Sequence, residues 1–437
     1  MIRRLSRFFV KLVEKYLPDP FLFAVILTLI VYVMGIVIAG NSPLEMMIHW
    51  GNGFWNLLAF SMQMVLVLVT GHVLASSPFF KRFMKRVALS IKNPAQAIML
   101  TSFISAVACW INWGFGLVIG ALLAKEIAKN NRGIDYRLLI ASAYSGFIVW
   151  HAGLSGSAPL QVATAGHFLE KTIGLVPTSQ TLFAPFNLIP AFVIIITLPF
   201  INKMMVPSEE EVVEIDPSLL VEEKEEKIVV NTPADKMENS PVLSVIIGIL
   251  GLGYIVYYFS TKGFALNLNI VNFIFMFLGI LFHGTPRRYL DALLEAVKGA
   301  GGIILQFPFY AGIMGMMVSS GLAAIISQWF VNISTPATFP FFTFLSAGLV
   351  NFFVPSGGGQ WAVQGPIMIP AGLELGVDTG KTVMAVAWGD AWTNMIQPFW
   401  ALPALGIAGL GARDIMGYCI VVLLYTGIIV GLSLLLL

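Results

Sequence analysis

The last 23 residues of the chain, "IMGYCIVVLLYTGIIVGLSLLLL" (415–437), carry no charged side chain. About 20 apolar residues suffice for a helix to cross a bilayer. Comparable runs recur near 20–40, 55–77, 137–165, 182–205, 242–260, 266–283, 299–325 and 380–408. Inside lipid the backbone must satisfy its own hydrogen bonds, which leaves only helices and closed barrels. The runs are continuous rather than alternating, so a membrane β-barrel is excluded. The expected fold class is therefore an all-α polytopic membrane protein. Composition agrees: 57% of residues are hydrophobic and 11% charged, with a mean hydropathy of +0.85, against about a quarter charged in a soluble domain. A net charge of +2 gives no case for nucleic acid, and Cys109 and Cys419 both lie in apolar segments, so no disulfide or metal cluster is expected. The N-terminal stretch 1–18 places Ile2, Leu5, Phe9, Leu12 and Tyr16 opposite Arg3, Arg7, Lys11 and Lys15, the pattern of an interfacial amphipathic helix.

Two further segments, 94–128 and 338–373, are too long for one span, and each is broken by small or polar residues, "INWGFG" (111–116) and "VPSGGGQ" (354–360). Non-helical backbone at depth is tolerated only where it is buried in protein or lines a cavity. Basic residues choose between a crossing and a re-entrant hairpin. With both segments as hairpins and the N-terminus cytoplasmic, only Lys171, Lys262 and Lys381 fall outside, leaving 22 of 25 basic residues inside. If 94–128 crossed, the basic loops on its two sides would face opposite ways. The expectation is about nine transmembrane helices plus two re-entrant hairpins, with the C-terminus outside.

The halves resemble each other. "QMVLVLVTGHVLASS" (63–77) matches "QFPFYAGIMGMMVSS" (306–320), pairing Gln63 with Gln306 at an offset of 243. "SAVACWINWGFG" (105–116) opens like "SAGLVNFFVPSGGG" (346–359), and "GIDYRLLIASAYSG" (133–146) resembles "GVDTGKTVMAVAWGD" (376–390). An odd number of spans between equivalent points would invert the second copy, the design of many secondary transporters. The expected organisation is a first repeat over 19–206, with hairpin 94–128 and broken helix 137–165. A charged cytosolic linker, 207–240, holds 11 of the 23 acidic residues and is expected to be partly disordered. A second repeat over 241–437 adds an extra helix at 242–260, hairpin 338–373 and broken helix 380–408.

The broken helices carry "WHAGLSGSAPLQ" (150–161) and "WGDAWTNMIQPFW" (388–400). Breaking a helix frees N–H groups that can hold an anion and carbonyls that can hold a cation. Asp390 alone among the acidic residues lies well inside a span, where a charge costs about 2.5–3.5 kcal/mol even on the lenient insertion scale. It could ligate sodium, take a proton or anchor an unwound loop. His151 at the first break could relay protons, bind a carboxylate or simply pack. No Lys or Arg lies deep in a span, so an anionic substrate would need backbone dipoles, hydroxyls, amides and a bound cation. "SGGGQ" lacks the Lys-Ser/Thr of a phosphate-binding loop, and "GLSGS" (153–157) only partly matches a nucleophile elbow. An enzyme is not expected.

"VPSGGGQWAVQGPIMIPA" (354–371), "WGDAWTNMIQPFWALP" (388–403) and "LPDPFLFAVILTL" (17–29) resemble the bacterial short-chain fatty acid transporter family, within the broader ion transporter superfamily. The resemblance runs over nearly the whole chain. It implies cation-coupled symport, with Na+ or H+ as the coupling ion and no other cofactor, of small monocarboxylates such as butyrate or acetoacetate across the bacterial inner membrane. By analogy it also implies homodimers and elevator-type movement. Dicarboxylate carriers of the superfamily place Ser-Asn-Thr at each hairpin tip, whereas the tips here read Asn112-Trp113-Gly114 and Ser356-Gly357-Gly358. The expected substrate contacts are these six residues with Gly359, Gln360, Ser155, Ser157, Thr393 and Asn394. Asp390, a candidate Na+ site, would serve the coupling cation together with His151, Asn112 and Gln397. An exchanger or exporter of another small ion, and a passive anion channel, are the alternatives.

Overall fold

The computed structural model describes residues 20–216, 232–351, 354–397 and 399–437, and all regular structure within them is helical. The expected interfacial helix at 1–18 lies outside the described residues, as does 217–231 of the linker. Six described helices are long and apolar enough to cross a membrane, and shorter apolar helices accompany them. Which residues face outward shows what solvent the fold is built for. Helix Pro241–Lys262 buries Ser244, Gly248 and Gly251 while exposing Ile249, Leu250 and Val256. Water would penalise that arrangement, but lipid rewards it, because helices in lipid approach through small residues.

The two halves present the same order of elements. In the first, helix Leu58–Ala75 precedes a hairpin of Pro94–Ile111 and Trp113–Asn130, which pack along each other. A broken helix follows: Tyr136–Ser145 tightens into a 3-10 turn at Gly146–Val149, loses helical form, and resumes at Ser157–Val162. In the second half, Gly301–Ser319 precedes a hairpin of Phe339–Val350 and Gly357–Glu374, and the broken helix is Thr379–Thr393 followed by Ala401–Ala408. Phe339–Val350 packs mainly along Thr379–Thr393, so the second hairpin and second break form one body.

Local chemistry explains the boundaries. Asn93 caps Pro94–Ile111 by accepting from Gln96 N at 2.8 Å, and Asp378 caps Thr379–Thr393 by accepting from Lys381 N at 2.8 Å. The repeat-related glutamines have different partners. Gln63 donates to Asn269 Oδ1 on a neighbouring helix at 2.8 Å, whereas Gln306 accepts from Tyr310 one turn along its own helix at 3.1 Å.

The described start of the linker is not loose. Asp135 caps helix Tyr136–Ser145 through Leu138 N at 2.8 Å, and its second oxygen accepts from Val213 N at 3.0 Å. Tyr136 N answers by donating to Val213 O at 2.8 Å. Residues 207–216 thus run as a strap pinned to the first half through the backbone of Val213 and the carboxylate of Glu214, which accepts from Gly133 N.

Candidate functional site

At the first hairpin tip the chain turns on one extended residue, Asn112, with φ −155° and ψ 125°. Its own N–H donates to Ala108 O at 2.9 Å, its carbonyl accepts from Gly116 N at 2.8 Å, and its side-chain oxygen accepts from Phe115 N at 2.9 Å. These bonds fix the amide orientation and leave Asn112 Nδ2 buried without a partner. Gly71 and Gly114 clamp the tip against helix Leu58–Ala75: a Cβ on Gly71 would lie 2.4 Å from Asn112 Oδ1, and one on Gly114 would lie 2.9 Å from Leu68 Cα. Trp113 N donates to Ser155 Oγ at 3.0 Å, so the serine hydroxyl ties the tip to the first break.

The first break is held open by named partners. Leu154 N donates to Trp110 O at 2.7 Å, and Asn187 Nδ2 donates to Ala152 O at 3.1 Å. Groups freed by the unwinding are thereby re-satisfied within protein, as lipid requires. Tyr144, Phe147, Trp150 and His151 form a stack of rings along this element, the last pair at 4.2 Å and 15°.

At the second tip Ser356 caps the following helix, accepting from Gly359 N at 3.4 Å. Gly357 lies directly over the first break: a Cβ there would meet the Trp150 ring at 2.4 Å and His151 Cε1 at 2.8 Å. Gly358 presses on Phe60 and Phe307, and Gly359 on Tyr310. Gln360 donates to Ala347 O at 2.8 Å and to Gln364 Oε1 at 2.7 Å, leaving its own Oε1 unpartnered. At the second break Asn351 Nδ2 donates to Asp390 O at 3.0 Å and to Thr393 Oγ1 at 2.9 Å, while Thr393 Oγ1 donates to Gly348 O at 2.9 Å. Thr393 therefore fastens the second break to the second hairpin. Gln397 accepts from Phe399 N at 3.2 Å within the same turn, and Ser157 opens the resumed helix of the first break.

The breaks meet at two bonds. Trp150 Nε1 donates to Asn394 Oδ1 at 3.0 Å, and His151 Nδ1 lies 2.9 Å from Asp390 Oδ2, both side chains fully buried. Ala158 N points at His151 Nε2 from 3.0 Å, so Nε2 is the acceptor and the ring proton belongs on Nδ1, from which it is donated to Asp390. With Nε2 accepting and Nδ1 donating, the imidazole carries one ring proton. Asp390 Oδ1 has no hydrogen-bond partner.

Unpartnered atoms around the breaks sort by chemistry. Asn112 Nδ2, Trp113 Nε1, Asn394 Nδ2 and Trp400 Nε1 are buried donors without acceptors. They are linked by contact, since Trp113 meets Trp400 at 5.1 Å and Trp150 at 5.8 Å, and Trp150 holds Asn394. Asn351 Oδ1, Gln360 Oε1 and Asp390 Oδ1 are buried acceptors without donors. Hard cations take oxygen ligands, and these three oxygens are of the type a cation accepts. Among the described residues no three His, Cys, Asp or Glu side chains cluster. Trp150, Trp400 and Asn351 were not among the residues expected from the sequence. Asn351 had left a signal, an amide inside the apolar run "LSAGLVNFF"; the indoles had none, because membrane-protein tryptophans are commonly interfacial anchors.

The family model described as "Short chain fatty acid transporter" matches residues 1–437. Two relatives carry the name "Putative short-chain fatty acid transporter". One, from Escherichia coli K12, is 51% identical over 99% of this chain and 100% of its own length. The other, from Haemophilus influenzae Rd, is 47% identical over 98% of both chains. The solved YdaH transporter of Alcanivorax borkumensis, described as having an unusual topology, shares the fold with a TM-score of 0.64 and 16% identity over 95% of this chain and 98% of its own. The relatives are named as transporters, not enzymes. With a match along its full length and close relatives of equal extent, the chain belongs to the short chain fatty acid transporter family.

Proposed function

We propose that the protein couples a cation, Na+ or H+, to the uptake of short-chain monocarboxylates such as butyrate or acetoacetate. The substrate class rests on the family and on the names of its members. The coupling rests on one observation: Asp390, fully buried between the two breaks, has a neutral histidine on one oxygen and nothing on the other. A carboxylate in such a place calls for a cation or a proton. Asn351 and Gln360 supply further oxygens of the kind Na+ accepts.

The two halves act as an inverted repeat in the inner membrane, with the hairpins and breaks forming the substrate-carrying unit of an elevator within a homodimer. The like order of elements in both halves supports the repeat within this reading. The test is uptake of labelled butyrate and acetoacetate into proteoliposomes under imposed sodium or proton gradients. Accumulation driven by one gradient and abolished by its ionophore is expected. Counterflow alone would replace symport by exchange, and flux that ignores both gradients would replace it by a passive channel. Absence of flux for every short acid would remove the substrate class.

A further inference from the structure

Two short helices carry basic residues, and their counterparts in the other half carry none. Pro78–Ser90 holds Lys81, Arg82, Lys85 and Arg86, and Pro286–Val297 holds Arg287 and Arg288, all of them exposed. In the order of elements these helices correspond to Leu322–Ile333 and Pro43–Gly53, neither of which contains a Lys or Arg. A bias of basic residues toward one membrane face accounts for that difference, but not for the groove that opens beside the basic pair. We propose that an anionic phospholipid of the adjoining leaflet binds there, its phosphate held by Lys81 and Arg288 and one acyl chain lying along helix Pro241–Lys262. This goes beyond the transport reading and does not rest on it.

Three observations carry it. The two basic helices converge on the end of helix Leu268–His283. Phe79 and Phe80 meet Phe282 at 4.9 and 6.0 Å, Tyr289 meets His283 at 6.0 Å, and the charges of Lys81 and Arg288 both reach the His283 ring. Second, the arginines differ in what they hold. Arg287 is engaged by Asp291 at 3.1 Å and by Glu238 at 3.5 Å, whereas among the described residues neither Arg288 nor Lys81 has an ion-pair partner. Third, an apolar groove of about 400 Å³ lies beside them. Pro286 and Tyr289, which flank the arginines in sequence, border it together with Leu243, Ile246, Ile247 and Ile280. Ser244 borders it too, 1% exposed, with a hydroxyl that has no hydrogen-bond partner. Past Ile247 a second apolar hollow continues between the same two spans, to Tyr254 and Phe273.

These parts match a phospholipid from head to tail. Basic pockets beside membrane spans hold anionic headgroups, and Arg and Lys are the usual phosphate partners. Ser244 stands one turn inside its helix, the depth at which ester carbonyls follow a phosphate, and it offers them a donor that the chain leaves unused. From Ser244 to Tyr254 the helix rises about 15 Å, half the hydrocarbon core of a bilayer, so the groove accompanies an acyl chain through most of one leaflet. A free phosphate would meet the basic pair alone and leave the apolar walls without an occupant.

Native mass spectrometry of the full chain, titrated in detergent with dioleoyl phosphatidylglycerol or dioleoyl phosphatidylcholine, tests the site. The tails are the same and only the headgroup charge differs. The wild type is expected to prefer phosphatidylglycerol about 25-fold, roughly fivefold for each basic group. Lys81→Gln with Arg288→Gln should bind both lipids alike. Arg287→Gln with Lys298→Gln removes the same charge at positions already paired with acids and should keep most of the preference. Ile247→Trp, which fills the groove without touching a charge, should weaken both lipids equally. Equal loss of preference in the two double variants would reduce the site to general surface charge, and unchanged binding in Ile247→Trp would remove the groove; either overturns the inference. Glycerol phosphate competing as well as the lipid would reassign the basic pair to free anions and overturn it too. A wild type indifferent to headgroup charge ends the proposal without any variant having to fold, and leaves the transport reading untouched.

Discussion

Asp390 and Asn394 stand one helical turn apart, with Asn394 N donating to Asp390 O at 3.3 Å. Side chains at i and i+4 are neighbours, about 6 Å apart. If the substrate's carboxylate rests on Asn394 while Asp390 is ionised, two like charges are buried together. At an effective dielectric of about 20, their repulsion at ~6 Å is about 3 kcal/mol. Neutralising Asp390 by a proton or a sodium ion would therefore favour the anion by up to about a hundredfold. By linkage the anion would favour the cation equally. Asp390→Asn removes the charge but keeps an oxygen for the His151 Nδ1–H. The expected outcome is butyrate binding that no longer depends on sodium concentration or pH, measured by calorimetry, while gradient-driven uptake is lost. The variant should melt no lower than wild type, because an unneutralised buried charge costs stability. Cation dependence that survives in Asp390→Asn would move the coupling site elsewhere.

At the scale of elements, caps and breaks do most of the positioning, and the sequence displayed them unevenly. The stops at Asn112 and Ser356 were readable because Asn-Trp-Gly and Pro-Ser-Gly-Gly-Gly are poor helix formers inside apolar runs. Asp390 and His151 were readable because ionisable groups are rare at such depth. Their pairing was not, since 239 residues separate them and no local pattern encodes a contact between the halves. The hydroxyls also tie elements together: Ser155 Oγ accepts from the backbone of Trp113, while Thr393 Oγ1 donates to Gly348 O and accepts from Asn351 Nδ2. The strap at 207–216 was hidden for a related reason. Glu209, Glu210 and Glu211 suggest a solvated tract, yet its anchor is Asp135, 78 residues upstream of Val213. Asp135→Ala should remove both the helix cap and the anchor. A lost cap costs about 0.5–2 kcal/mol, so a lower melting temperature is expected, together with faster proteolysis between 207 and 216. Asp135→Asn, which still offers an acceptor, should fall between. Equal protease resistance in wild type and Asp135→Ala would show that the strap is held by other contacts.

For the whole molecule, one offset links the parts of the site. Asn112 and Ser356, which cap the two hairpin tips, are 244 apart, and so are Trp150 and Asn394, which bond to each other across the breaks. Residues related by a two-fold pseudo-axis can touch only near that axis, so the Trp150–Asn394 bond marks where such an axis would pass. The same offset relates Asn130 to Glu374, the exposed far ends of the two hairpins. In an inverted repeat these ends must open on opposite faces of the membrane; in a direct repeat they would share one. The chain suits a cysteine test because its two native thiols, Cys109 and Cys419, are buried. Asn130→Cys and Glu374→Cys, each made singly, would be treated in oriented vesicles with a membrane-impermeant maleimide. The positive-inside count over the flanking loops sets the expectation: Asn130→Cys reacts from the cytoplasmic face alone and Glu374→Cys from the outer face alone. Reaction of both from one face would end the inverted arrangement, and with it the case for alternating access by exchange of two mirrored hairpins. Opposite labelling would leave a site built from both halves at their meeting point, where a rigid shift of the hairpins and breaks can expose the same donors to each side in turn.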